Sequence, residues 1–208
     1  MEAINQAGTS MGVVGMDGIV LAAERRSTGK LLDADRSQDK LYHISDDIIV
    51  AVAGLTADAN ILIDYARSLY QRYLLTYDAP MPVEKLVQAV CNVKQNYTQS
   101  GGLRPFGVSM LYAGWDEEFG YQLYQSDPSG NYSGWKATCI GANNSMASSI
   151  FKSDYQDSLN TEEVKRLIVK AFSKSIEASK IDCDRGIILI LLILLIHYSG
   201  NRCPDQSR

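Results

Sequence analysis

The sequence predicts an α+β fold, a four-layer αββα sandwich of two antiparallel sheets. Three observations predict it. Tight-turn signals, Asp17-Gly18 and Asp127-Pro128-Ser129-Gly130, stand between apolar runs and give antiparallel hairpins. The elements come in the order strands, two helices, strands, two helices. The run Ile19-Val20-Leu21-Ala22-Ala23 has no polar alternation, so it suits a strand covered on both faces. Helix pairs must bury their apolar stripes against a sheet, and two stacked sheets with a helix layer outside each satisfy all three.

The elements follow in order. Met1 to Gln6 reads as the tail of a helix that Gly8 stops. Met11–Met16 and Ile19–Ala23 form one hairpin, and Leu41–Ile44 and Ile48–Ala53 form another around Ser45-Asp46-Asp47. Thr56 is placed to cap a helix from Ala57 to about Tyr77, with Ile61, Tyr65, Leu69 and Tyr73 along its apolar stripe and Leu62, Ala66 and Tyr70 widening it. After the turn Asp78–Pro82, a second helix carries Val83, Leu86, Val87, Val90 and Tyr97 on one face and ends at Gly101-Gly102. Strands are expected over Phe106–Tyr112, Gly120–Ser126 and Trp135–Ile140, with a turn over Gly114–Glu118. Helices follow over Ser145 to about Gln156 and Thr161 to about Ser179. Asn160 and Glu163 are spaced as a capping box for the second of them. There is no internal repeat, and the domain is expected over residues 1–180.

The tail, 181–208, differs in kind. Ile187–Ile196 is ten consecutive Ile and Leu residues, where a spanning helix needs about 20. A buried strand or an altered chain end is the better reading, and a membrane anchor the weaker one. A net charge of -4 speaks against an obligatory nucleic-acid partner. Twelve tyrosines against four phenylalanines fit many half-buried aromatics and extensive protein contacts. Cys91, Cys139, Cys183 and Cys203 are scattered, without a C-x-x-C pair, and read as buried or incidental thiols. The N-terminus has no basic-then-apolar leader pattern.

The chemistry turns on Gly8, Glu24 and Lys40. A sandwich whose first strand starts near Thr9 is similar to that of N-terminal nucleophile hydrolases, in which a Ser, Thr or Cys attacks and the free α-amine moves the proton. Glu24 and Lys40 would supply the supporting carboxylate and cation. Gly8, in the nucleophile's place, has no attacking atom, and Thr9 follows a helical stretch rather than a removable leader. The expectation is a non-catalytic chain, with a hydrolase activated by processing at Thr9 or Ser10 as the alternative. His43 and His197 lack second ligands at metal spacing, Gly101–Pro105 does not open a helix as a phosphate cradle would, and Arg25-Arg26 reads as a solvated turn. No metal or cofactor is expected.

The chain to about Lys180 resembles the alpha-type subunits of the 20S proteasome. The resemblance rests on Met1-Glu2-Ala3-Ile4, Asp17-Gly18, Ala22–Arg26, Lys40-Leu41-Tyr42, Ala51–Ala59, Gln71–Leu75, Arg104–Ser109 and Tyr124–Tyr132, and the run Gly134–Gly141 is that of one subunit type within the family. It implies a sandwich shared with catalytic beta subunits but without their nucleophile. It also implies a place in a heptameric outer ring with other alpha subunits, stacked on the beta ring. Gly8, Lys40 and Leu55 would line a pocket between neighbouring alpha subunits, where the C-terminal tails of a regulatory particle or activator insert and pair their carboxylate with the lysine. Cytoplasm and nucleus, and a role in ubiquitin-dependent and -independent degradation, follow from the same resemblance. Family members carry a gate segment and most of a first helix before the position of Met1, and two strands beyond Lys180. The sequence leaves a gating contribution open, and an unpaired sheet edge is expected, with Ile187–Ile196 as a partial replacement for one strand.

Overall fold

The computed structural model describes residues 2–24, 40–175 and 190–194. A short helix α1 (Glu2–Asn5) leads into β1 (Ser10–Val14) and β2 (Ile19–Ala23), then β3 (Leu41–His43) and β4 (Ile48–Gly54). Helices α2 (Thr56–Tyr77) and α3 (Val83–Gln99) precede β5 (Val108–Asp116), β6 (Gly120–Ser126), β7 (Tyr132–Gly134) and β8 (Ala137–Ile140). Helices α4 (Asn144–Asp154) and α5 (Thr161–Ser175) follow, and β9 (Ile190–Leu194) is the last described strand. One sheet has the order β8-β1-β2-β9 and the other β3-β4-β5-β6-β7, and every pairing is antiparallel.

The layering follows from the two-residue period of a strand. Along β4, Ile48, Val50 and Val52 pack under α2 and α3, while Ile49, Ala51 and Ala53 face the other sheet. Along β2, Ile19 and Leu21 join that same inter-sheet layer, and Val20 and Ala22 meet α4 and α5. The unalternating apolar runs are thus strands with a core on each face. Gly12 has no side chain because the inter-sheet layer has no room for one: a Cβ there would stand 2.9 Å from Leu123 and 3.0 Å from Leu21.

Several local expectations are corrected. On α2 the residues Leu62, Ala66 and Tyr70 are buried as expected, with Ala59 and Ile63, and Tyr65, Leu69 and Tyr73 pack against the same core, but Ile61 is 58% exposed. An i, i+4 ladder precesses by about 40° per step in a helix of about 3.6 residues per turn, so the series from Ile61 starts on the solvent side and drifts onto the core from Tyr65 onward. Thr56 does not cap α2; the N-cap position is Leu55, without a side-chain bond. Gly114 is not in a turn but inside β5, paired with Ile48, where a Cβ would stand 2.7 Å from Val83. Of the expected strand Trp135–Ile140, Ala137–Ile140 is strand β8, and Trp135-Lys136 link it to β7 of the other sheet. Trp135 N–H still donates to Leu123 of one sheet (2.8 Å), and Lys136 C=O already accepts from Val14 of the other (2.8 Å).

The capping box at α5 is half formed. Glu163 accepts from Asn160 N–H (3.0 Å), but the first turn is also held by Asp17 of the β1–β2 hairpin, which accepts from Thr161 N–H (2.8 Å) and from the Thr161 hydroxyl. That hydroxyl lowers the pKa of Asp17. Within the tail, Ile190–Leu194 pairs with β2 from Ala23↔Ile190 to Ile19↔Leu194, so the edge of β2 is covered and β9 is the end strand of that sheet among the described residues. The remainder of the Ile187–Ile196 run, Arg25-Arg26, His197, Cys183 and Cys203 lie outside the described residues. Among the described residues no helix is long and apolar enough to cross a membrane. Cys91 and Cys139 are free and buried, and burial raises both thiols, Cys139 to about 12.

One buried charge ties the layers on the α3 side. Lys94 of α3 is fully buried and donates to Val108 O (3.2 Å), Ser126 Oγ (2.8 Å) and Asp127 O (3.4 Å). The Ser126 hydroxyl donates to Tyr112 Oη (3.2 Å). Burial pulls Lys94 down to about 8, opposed by Cys91 and Asp127, and pushes the Tyr112 phenol up. An unfolded lysine keeps its proton to about 10.5. Between about 8 and that value the unfolded chain therefore binds more protons, and stability rises with pH. Relative to Lys94→Met, the native chain should gain on the order of 3 kcal/mol between about pH 7 and pH 10 in urea melts. A difference that stays flat with pH would show that this ammonium is not desolvated.

Candidate functional site

The end of the sandwich where β1 begins and β4 finishes gathers the residues singled out from sequence. Gly8 precedes β1, and three bonds fix its surroundings. Ala142 N–H donates to Ala7 O (3.0 Å), the Thr9 hydroxyl donates to Ala142 O (2.8 Å), and Glu24 N–H donates to Thr9 O (2.7 Å). Lys40 reaches the same point from the start of β3, where its carbonyl accepts from Val52 N–H (3.0 Å). A Cβ built on Gly8 would collide with Lys40 Nζ, and would stand 2.9 Å from Glu24 O and 3.4 Å from Glu24 Oε2. The Lys40 ammonium is buried and holds the space that a side chain at position 8 would need. Glu24 is buried beside it and accepts from Thr9 N–H (3.0 Å). Thr9 and Ser10 are buried as well, and the Ser10 hydroxyl donates to Val52 O (3.1 Å). Both hydroxyls therefore serve as donors to main-chain carbonyls.

Leu55 lies three residues beyond Val52, at the N-terminus of α2, and is 44% exposed. Its N–H donates to Gly107 O (3.0 Å), and its side chain lies against Gly107, where a Cβ would come within 2.8 Å of Leu55 Cδ1. Asp58, on the first turn of α2, accepts from Gly107 N–H (2.9 Å) and takes both ends of the Arg104 guanidinium (2.7 and 2.9 Å). The Arg104 bond, helped by the Gly107 amide, holds the Asp58 carboxyl below its usual range despite burial.

The profile described as Proteasome subunit matches residues 4–191. The chain belongs to the proteasome subunit family. It is 55% identical over 185 residues to a probable proteasome subunit alpha type-3 of Schizosaccharomyces pombe, covering 89% of this chain and 75% of that one. It is 53% identical to proteasome subunit alpha type-4 of Spinacia oleracea and 52% to that of Petunia hybrida, in each case covering 89% of this chain and 74% of the relative. The resemblance on which the sequence reading rested is thus to alpha-type proteasome subunits.

For this proteasome-family chain, the structure brings Gly8, Glu24 and Lys40 into one cluster. Leu55 stands at the same end of the sandwich but packs on the 104–107 loop. His43 is exposed on β3, and its carbonyl accepts from Arg67 Nε (2.9 Å). Among the described residues no group of His, Cys, Asp and Glu could hold a metal ion. The sequence reading missed the Asp58–Arg104 pair. Both residues stood inside quoted motifs, but 46 positions separate them, and neither carries a local signal of its partner.

Gly8→Ala should push Lys40 aside and cost about 1–3 kcal/mol in denaturant melts, with the largest chemical-shift changes at Lys40 and Glu24. An alanine accepted without those shifts would show the ammonium is not confined there. Asp58 stabilises the fold above the ordinary aspartate pKa of about 4, and that contribution is lost as the pH falls through its lowered folded value. Asp58→Asn should therefore narrow the gap to the native chain below about pH 4, as read by acid titration of melts.

Proposed function

We propose that this chain is a non-catalytic structural subunit of the outer alpha ring of the 20S proteasome. There it supports assembly, caps the chamber and contributes to the docking of activators. The observation that carries this reading is the Lys40 ammonium in the side-chain space of Gly8. The spot that an attacking residue would occupy holds a cation instead. A cation in a confined, partly desolvated setting suits capture of a chain-terminal carboxylate. Gly8 and Lys40, with Leu55 as the apolar side, form this chain's share of a pocket completed by a neighbouring alpha subunit. The exposed apolar residues Leu74, Leu75 and Tyr77 of α2 support burial against other subunits. Its partners are then the other alpha subunits of a heptameric ring, the beta ring, and the C-terminal tails of a regulatory particle or activator. Its setting is ubiquitin-dependent and -independent degradation in cytoplasm and nucleus.

Co-expression with the other alpha subunits should carry the chain into rings seen by native electrophoresis and electron microscopy. Lys40→Met should leave ring entry intact and weaken an activator-tail peptide by about tenfold or more, the loss of a charge-assisted bond. A chain that stays outside rings would sink the structural reading. Peptide cleavage by a chain whose intact mass shows a start at Thr9 or Ser10 would replace it with a processed hydrolase.

A further inference from the structure

We propose that the Asp58–Arg104 ion pair is a positioning device that fixes Leu55, and through it the apolar side of the tail pocket. This rests on the pocket reading above. Leu55 occupies the N-cap of α2, where Ser, Thr, Asp or Asn would serve the helix better, and it makes no side-chain cap bond. Its carbonyl accepts from Ala59 N–H (3.0 Å), but its apolar, 44% exposed side chain gives α2 no cap. Its position is nonetheless held tightly. Gly54 before it has φ +136°, with the Gly107 carbonyl packed against its Cα, so the backbone enters along a path open to glycine.

Leu55 N–H is then fixed by Gly107 O, and Gly107 is fixed in turn by its own N–H to Asp58 Oδ2. Asp58 is 5% exposed and forked onto Arg104, which also donates to Pro105 O (3.2 Å). The 104–107 loop therefore supplies both the guanidinium that orients Asp58 and the peptide group that pins Leu55. The negative carboxylate also sits at the positive end of α2. Planar bidentate pairing fixes direction as well as distance, so the loop and the helix start move as one piece.

Two measurements decide it. Hydrogen exchange on the full chain should run about tenfold faster at the Leu55 and Gly107 amides in Asp58→Asn and Arg104→Ala. Asp17→Asn, which loosens the start of α5 at the β1–β2 hairpin, should leave those amides at their native rate after correction for global stability. Unchanged exchange in Asp58→Asn, or equal acceleration in Asp17→Asn, overturns the device.

In assembled rings, a tail peptide with a free carboxylate and its C-terminal amide should both bind Asp58→Asn about tenfold more weakly, with their ratio preserved, because Lys40 is untouched. Native affinity in Asp58→Asn rings overturns the positioning role. Lys40→Met should erase the carboxylate-to-amide ratio. If it does not, the pocket reading fails, while the exchange result still decides whether the ion pair fixes Leu55.

Discussion

The inter-sheet layer is the constraint on which everything else in this chain depends. Ile19, Leu21, Ile49, Ala51, Ala53, Leu111, Ala113, Leu123 and Ile140 come from both sheets and share one buried layer. Each of their strands must also satisfy a helix layer on its other face, so a one-residue slip would exchange the two sets. The small residues are as necessary as the large ones. Ala51, Ala53 and Ala113 keep the sheets close, and Gly12 yields its space to Leu123 and Leu21. A stack fixed in this way has two open ends, and the ends of its strands are where side chains escape the layer rule.

The Gly8–Lys40 cluster sits at one such end. Ser10 of β1 bonds Val52 of β4, and Val52 bonds the Lys40 carbonyl, so the two sheets are cross-tied within a few residues of the site. That tie brings a cation from the start of β3 to the residue before β1. The same register fixes Gly54, and with it the start of α2, because β4 runs without interruption from Ile48 to Gly54. The site is an outcome of where strands begin and end.

What was legible in the sequence was what local pattern encodes. Helices α3 and α5 were read on their correct faces, since Val83, Leu86, Val87 and Val90, and Val164, Leu167, Ile168, Ala171 and Phe172, are all buried. The stripe on α2 was legible at Leu62, Ala66 and Tyr70, but its margin was not, because Ile61, Leu74, Leu75 and Tyr77 are apolar and yet exposed. Lys94 shows a second kind of miss. It falls on the same face as Val83, Val87, Val90 and Tyr97, so its position signalled burial while its charge argued for solvent. The resolution lies in three acceptors from β5, β6 and the following turn, none of which is near it in sequence. Trp135-Lys136 shows a third, because a run of strand-forming residues carries no mark of the place where it changes sheets.

Long-range polar contacts account for the rest, and they share a logic. Asp17 caps α5 from a hairpin 144 residues away, Asp58 grips a loop, and Lys94 grips a turn. In each case one side chain satisfies main-chain groups that neither helix nor sheet can reach, and so fixes an irregular segment against a regular one. Such bonds are modest individually, but losing one partner leaves the other buried and unpaired, which costs more than the bond contributed. Segments held in this way are therefore as well defined as the strands. An exposed leucine at the head of α2 can then present a fixed surface, although no core packing holds its outer face.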